Sequence, residues 1–192
     1  MAITSNVSGF LQKVSQGVRP NMFQVDINFP SEIDADTELI TLMCKSAQLP
    51  ASNVGVIEVP FRGRTVKIAG DRTFDNWSAT FINDKDMKAR GYFEKWLNII
   101  NTHKANTAGV IDPTAYGTSV VVRQLEKDEN SNGTELRSYK LWYAFPTSSS
   151  AIDLAYDSND QIEEFSVEFQ YSYWTVGDDT DTTAGNSGIA IP

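Results

Sequence analysis

From Phe165 to Tyr173 every second residue is large and apolar: Phe165, Val167, Phe169, Tyr171 and Tyr173. The residues between them, together with the one that precedes them, are Glu164, Ser166, Glu168, Gln170 and Ser172. Side chains alternate across a strand, so this period of two means one dry face and one wet face. A segment of this kind needs a second layer to cover its apolar side. Gln161 to Trp174 therefore reads as one long strand. Phe23, Val25, Ile27 and Phe29 repeat the pattern, as do Trp77, Ala79 and Phe81. Thr118 to Leu125 and Thr134 to Phe145 add two more strands, the second with Tyr139, Leu141 and Tyr143 on one face. Ala151 to Tyr156 reads as a strand with Ile152, Leu154 and Tyr156 inward. Leu39 to Ser46 reads as another, ending before Pro50.

Val54 to Val59 and Arg64 to Ile68 read as a hairpin around a turn over residues 60–63. Arg62, Arg64 and Lys67 lie close together there. Taken alone, the pattern fits a solvated hairpin. Val66 to Asp84 then runs as a strand, breaks at Gly70 and Asp71, and resumes as a strand leading into a helix start. Gly-Asp is ordinary turn chemistry.

One helix is expected, over Asn83 to Thr102. Asn83 suits an N-cap, and Asp84 and Asp86 suit a first turn where the dipole favours acids. Met87, Ala89, Tyr92, Phe93, Trp96, Leu97 and Ile100 form one apolar stripe. The stripe is expected to lie across an open end or side of the β-structure, with Gly91 marking close packing. Residues 101–117 form a linker. A charged turn ends at Asn132-Gly133, a hairpin signal. Residues 157–160 form a further turn, and Pro146 with Ser148 to Ser150 forms a loop.

The ends differ from the middle. Val7, Phe10, Leu11 and Val14 stand at helical spacing in an otherwise small and polar segment. That spacing admits an amphipathic turn or two, a loose terminus, or an arm docked on a neighbour. Residues 176–192 are Gly, Asp, Thr and Ser with almost nothing apolar. The organisation is an N-terminal arm over 1–18, a β-domain over 19–174 and a polar C-terminal tail over 175–192. The whole reads as about eight strands and one helix: mainly β, an antiparallel β-sandwich or barrel with one flanking α-helix and a long projecting hairpin.

Composition narrows the function. Apolar residues make up 41% of 192, enough for a core. No apolar run spans a membrane, and no secretory signal opens the chain. Cys44 is the only cysteine, so neither an internal disulfide nor a cysteine metal cage forms. It is expected as a small buried apolar residue. His103 is the only histidine and cannot build a zinc site alone. No nucleophile motif, phosphate loop or metalloprotease motif is present, so neither enzyme nor cofactor is expected. A net charge of −9 argues against stable duplex binding.

Several segments resemble the tail tube proteins of contractile-tailed bacteriophages. They are RPNMFQV at 19–25, KIAGDRTFDNW at 67–77, the aromatic helix, VVVRQ at 120–124 and DSNDQIEEF at 157–165, all in family order. The resemblance spans Arg19 to Trp174. An acidic insertion at Ser31 to Asp36 and the tail after Trp174 depart from it. It implies six-membered rings whose inner sheets join into one barrel, stacked as a hollow tube inside a contractile sheath. It implies as partners the chain itself, the tail sheath protein, the tape measure protein, and baseplate or tube-initiator proteins. Genomic DNA would pass without specific binding. The location implied is the virion tail, assembled in the host cytoplasm without a membrane anchor. The inner tube of a related injection machine, a tailocin or secretion system, is the alternative, and an unrelated monomeric β-sandwich binding module a third.

The resemblance also implies surfaces. The hairpin region contacts the next ring, which nominates Arg62, Arg64, Lys67, Asp71 and Arg72. The polar face of the last strand is part of the inner wall, which nominates Glu164, Glu168 and Gln170. Outside the resemblance, the carboxylates Asp178, Asp179 and Asp181 cluster in the polar tail and are expected to contact a neighbouring subunit or the sheath.

Overall fold

The computed structural model describes residues 7–15, 17–126 and 134–177. The tail carboxylates Asp178, Asp179 and Asp181 lie outside these residues, as does the turn ending at Asn132-Gly133. The elements are α1 (Val7–Ser15), β1 (Phe23–Ile27), α2 (Thr37–Met43), β2 (Cys44–Ala47), β3 (Asn53–Phe61), β4 (Arg64–Thr73), β5 (Trp77–Ile82), α3 (Lys88–Ile100), α4 (Pro113–Tyr116), β6 (Thr118–Leu125), β7 (Glu135–Ser149), β8 (Glu164–Gln170) and β9 (Tyr173–Val176). One sheet runs β1-β6-β7-β8-β5-β2, with β9 also on β7, and β3-β4 form a separate two-stranded sheet. Every pairing is antiparallel. No ladder joins β1 to β2 among the described residues, so the fold is an open sandwich rather than a closed barrel.

β7 holds the two halves together. Its first part pairs with β6, and Phe145 to Ser149 pair with β8. Both halves send side chains into one core. Val25, Ile27, Val120, Val122 and Leu141 come from one half, and Trp77, Ala79, Phe81, Phe165, Val167 and Phe169 from the other. α3 closes this core with Ala89, Phe93 and Trp96. Phe93 is the hub, its ring 5.0 Å from Phe81, 5.5 Å from Phe29, 5.9 Å from Phe165 and 6.1 Å from Phe169. The buried indoles are satisfied. Trp96 Nε1 donates to Tyr116 O at 2.9 Å and Trp77 Nε1 to Gln48 O at 2.6 Å.

Several expectations are corrected. Leu39 to Ser46 is not one strand, because Thr37–Met43 is helical. Asp36 Oδ1 caps that helix by accepting from Leu39 N at 3.1 Å, and Ile40 is fully buried. A cap plus a buried anchor outweighs the β preference of Thr37, Ile40 and Thr41. The strand does not break at Gly70-Asp71, since β4 runs on to Thr73. A bulge between Val54 and Val56 absorbs the irregularity instead. A side chain at Gly70 would stand 3.2 Å from the Gly55 backbone, which explains the residue there.

The main helix begins at Lys88, not Asn83. Asn83 continues beyond β5, its N–H bonded to Glu163 O at 2.9 Å. Met87 turns the chain with φ 56°, and Asp84 Oδ1 caps by accepting from Ala89 N at 2.9 Å. Gly91 has no neighbour within 4 Å of where a Cβ would sit, so it marks no close packing. Residues 101–117 are not all linker, because α4 lies there, capped by Asp112. The backbone N–H and hydroxyl of Thr114 hold the Asp112 carboxyl below its usual pKa.

β7 is longer than expected and includes Pro146 and Ser149. Tyr143, at φ 54°, sits in a bulge between the Thr118–Ala144 and Val120–Leu141 pairs. Ala144 takes the next core position in its place. The closing strand is split into β8 and β9 by Tyr171 and Ser172, so Tyr173 pairs with Trp142 while Phe169 pairs with β5 and β7. Ala151 to Tyr156 is not a strand. Leu154 and Tyr156 point outward, and only Ile152 packs on the core. Cys44 is half-buried, and burial pushes its thiol up to about 12.

Candidate assembly surfaces

The β3-β4 hairpin forms a sheet of its own that pairs with no other strand among the described residues, and nearly all of its residues are exposed. Its register is set by a two-residue turn. Arg62 and Gly63 both have positive φ, 46° and 79°, as a primed turn requires. Arg62 lies over the Phe61 ring at 5.4 Å. Lys67 and Glu58 pair across the strands at 3.5 Å. The ladder Ile57–Ile68, Val59–Val66 and Phe61–Arg64 puts five apolar side chains on one face. All five are more than two-fifths exposed. The alternation of Ile57, Val59 and Phe61 signals this face in the sequence, but the basic turn draws attention away from it.

The nominated hairpin residues do not form one cluster. Arg62 and Arg64 are at the tip and Lys67 is on the shaft in its ion pair. Asp71 and Arg72 are at the base, with Arg72 opposite Val54. Arg72 lies eight steps along β4 from Arg64, about 26 Å at about 3.3 Å per residue.

The polar face of β8 lies opposite the core. Glu164 accepts from Lys45 of β2 at 2.5 Å, reaching across β5. Ser148 Oγ is 3.4 Å from a Glu168 carboxylate oxygen, and Gln170 donates to the Asn76 side chain. Ser78 and Thr80 of β5 stand beside Glu168 and Ser166 on this face. The structure thus gathers Glu164, Glu168 and Gln170 on one exposed polar sheet. Lys45 is the member that sequence reading misses, because it follows a helix hidden in an expected strand.

Of the readings open for the N-terminal segment, the helical one is what the structure shows, as α1. Val7, Phe10, Leu11 and Val14 are all more than half exposed, so its apolar side is open among the described residues. Among the described residues no group of three or more His, Cys, Asp or Glu could hold a metal, and no helix is long and apolar enough to cross a membrane.

Similarity to known proteins says what kind of protein carries these surfaces. The profile of the phage tail tube protein family matches residues 18–177. The chain belongs to that family. As a tail tube protein it is a structural component of a phage tail. It is 36% identical over 156 residues to tail tube protein gp19 of Enterobacteria phage T4, covering 81% of this chain and 90% of the relative. It is 28% identical over 173 residues to the tail tube protein of Serratia phage KSP90, covering 89% and 95%. Among solved structures, the tail tube protein superposes on a chain of the anti-feeding prophage cap structure with a TM-score of 0.61 at 19% identity, covering 92% and 99%. It superposes on a chain of the sheath-tube complex of an extracellular contractile injection system with a TM-score of 0.59 at 14% identity, covering 91% and 99%. These two likenesses establish the shared antiparallel fold.

Proposed function

We propose that the protein assembles into six-membered rings that stack into a hollow conduit for DNA delivery inside a contractile sheath. The observation that carries this reading is the family match over the whole β-domain, joined to a hairpin whose apolar face is exposed among the described residues. A monomer has no use for such a face, whereas a closed or stacked assembly buries it. In this reading residues 1–18 are an arm, 19–174 the tube domain and 175–192 a tail. Arg62, Arg64, Lys67, Asp71 and Arg72 contact the adjacent ring. Glu164, Glu168 and Gln170 face the lumen. Asp178, Asp179 and Asp181 contact a neighbour or the sheath. The partners are further copies, the sheath protein, the tape measure protein, and baseplate or initiator proteins. DNA passes without specific binding, assembly takes place in the host cytoplasm, and no catalysis or cofactor is involved. The 36% identity to a phage tail tube protein favours a phage tail over a tailocin or secretion system.

Negative-stain images of the purified protein test this. Six-fold rings or tubes are expected as concentration rises. Monodisperse single subunits under all conditions overturn the reading.

A further inference from the structure

Residues 151–164 curl around an open concavity lined by Ile152, Leu154, Tyr156, Ile162 and the carboxylates Asp153 and Asp160. Ile152 anchors the segment on the core. Leu154 is 80% exposed, Tyr156 107% and Ile162 71%. Exposed apolar groups concentrated in one concave segment mark a contact surface. Residues 151–163 hold four acidic residues and no Lys or Arg. Asp153 and Asp160 have no ion-pair partner among the described residues.

The hairpin tip has the opposite properties. It is convex, it carries the 61% exposed Phe61, and Arg62 and Arg64 flank it without an ion-pair partner among the described residues. Apolar complements apolar, and unpaired cations complement unpaired anions. Complementary potential of this kind sets register between partners. α1 is the competing occupant for the hairpin. Its apolar stripe offers no acid, and Lys13 is its only charged residue, so the charge pattern favours the concavity.

We propose that the hairpin tip of a second copy, Phe61 with Arg62 and Arg64, seats in the concavity formed by residues 151–164. This rests on the tube reading and names the surface the hairpin grips. The segment lacks regular structure in the single chain because its partner is another subunit.

A charge swap tests the docking. R62E with R64E, and separately D153R with D160R, should each shorten tubes at least several-fold in electron micrographs while circular dichroism stays that of the wild type. Combining all four should restore at least half the wild-type tube length. L154D with Y156D, at exposed sites that cost the fold little, should also block tubes. Wild-type tubes with no rescue in the quadruple variant overturn the docking and leave the tube reading standing. Normal tubes from L154D/Y156D do the same. A wild-type protein that never forms rings or tubes overturns the tube reading and the docking with it.

Discussion

Phe93 shows how a single side chain sets the geometry of the protein. It sits on α3 but touches Phe29, Phe81, Phe165 and Phe169, so one ring ties the helix to both halves of the sheet. Phe93→Ala removes those contacts and leaves a cavity that rigid neighbours cannot fill. A loss of about 3–5 kcal/mol is expected, since large-to-small aromatic changes in cores cost that much. Urea unfolding checks it, with an unchanged slope and a lower midpoint expected. Gly70 illustrates a smaller constraint: the Gly55 backbone opposite leaves a side chain little room. Tyr143 shows what one backbone angle does. Its positive φ turns it aside and brings Ala144 into the core, which no periodicity rule anticipates.

Among the elements, the β3-β4 hairpin stands apart. It has its own sheet, its own turn chemistry and a single cross-strand ion pair. Its fold is therefore local, and surface charge changes should leave it intact. Reversing Arg62, Arg64 and Lys67 together to Glu should keep the circular dichroism spectrum and shorten or abolish tubes. The effect of salt on wild-type tubes should point the same way, because exposed pairs are screened beyond about 8 Å at physiological ionic strength. Tubes of normal length in the triple variant would mean that the charges have no part in stacking. The hairpin was legible because two apolar runs flank residues 60–63, but the turn itself narrows to Arg62-Gly63, since Pro60 and Phe61 pair within the ladder. α2 was not legible, because the burial of Ile40 against the sheet is a tertiary fact. The segment 151–156 was misread for the converse reason. Its alternation is that of a strand, but no strand pairs with it among the described residues.

For the whole molecule, the open sandwich leaves one polar sheet facing water, with Glu164, Glu168 and Gln170 gathered on it. If this sheet lines a tube, its charge matters to DNA, which carries one negative charge per about 1.7 Å of axis. An acidic wall repels phosphates and lets the duplex slide, whereas a basic wall holds it by releasing counterions. Glu164→Lys with Glu168→Lys should permit rings but slow DNA ejection, most strongly at low salt. The first change also leaves Lys45 facing a second cation, so the single variants are worth separating. A reconstruction that places both carboxylates outside the tube would refute the assignment, as would normal ejection kinetics in the double variant.

The sequence by itself determined most of the strands with one wet face, the aromatic stripe of α3, the existence of the hairpin and the family, and it left the amphipathic N-terminal helix open as one of three readings. These follow from local periodicity and turn chemistry, which neighbouring residues encode. Only the tertiary structure decided that 37–43 is helical, that the last strand divides at Tyr171-Ser172, that Lys45 reaches Glu164, and that an apolar hairpin face and an acidic concavity are both exposed among the described residues. Each of those depends on which segments meet across the fold. That choice is made by burial and by the edges the sheet leaves open, which spacing along a single chain does not carry.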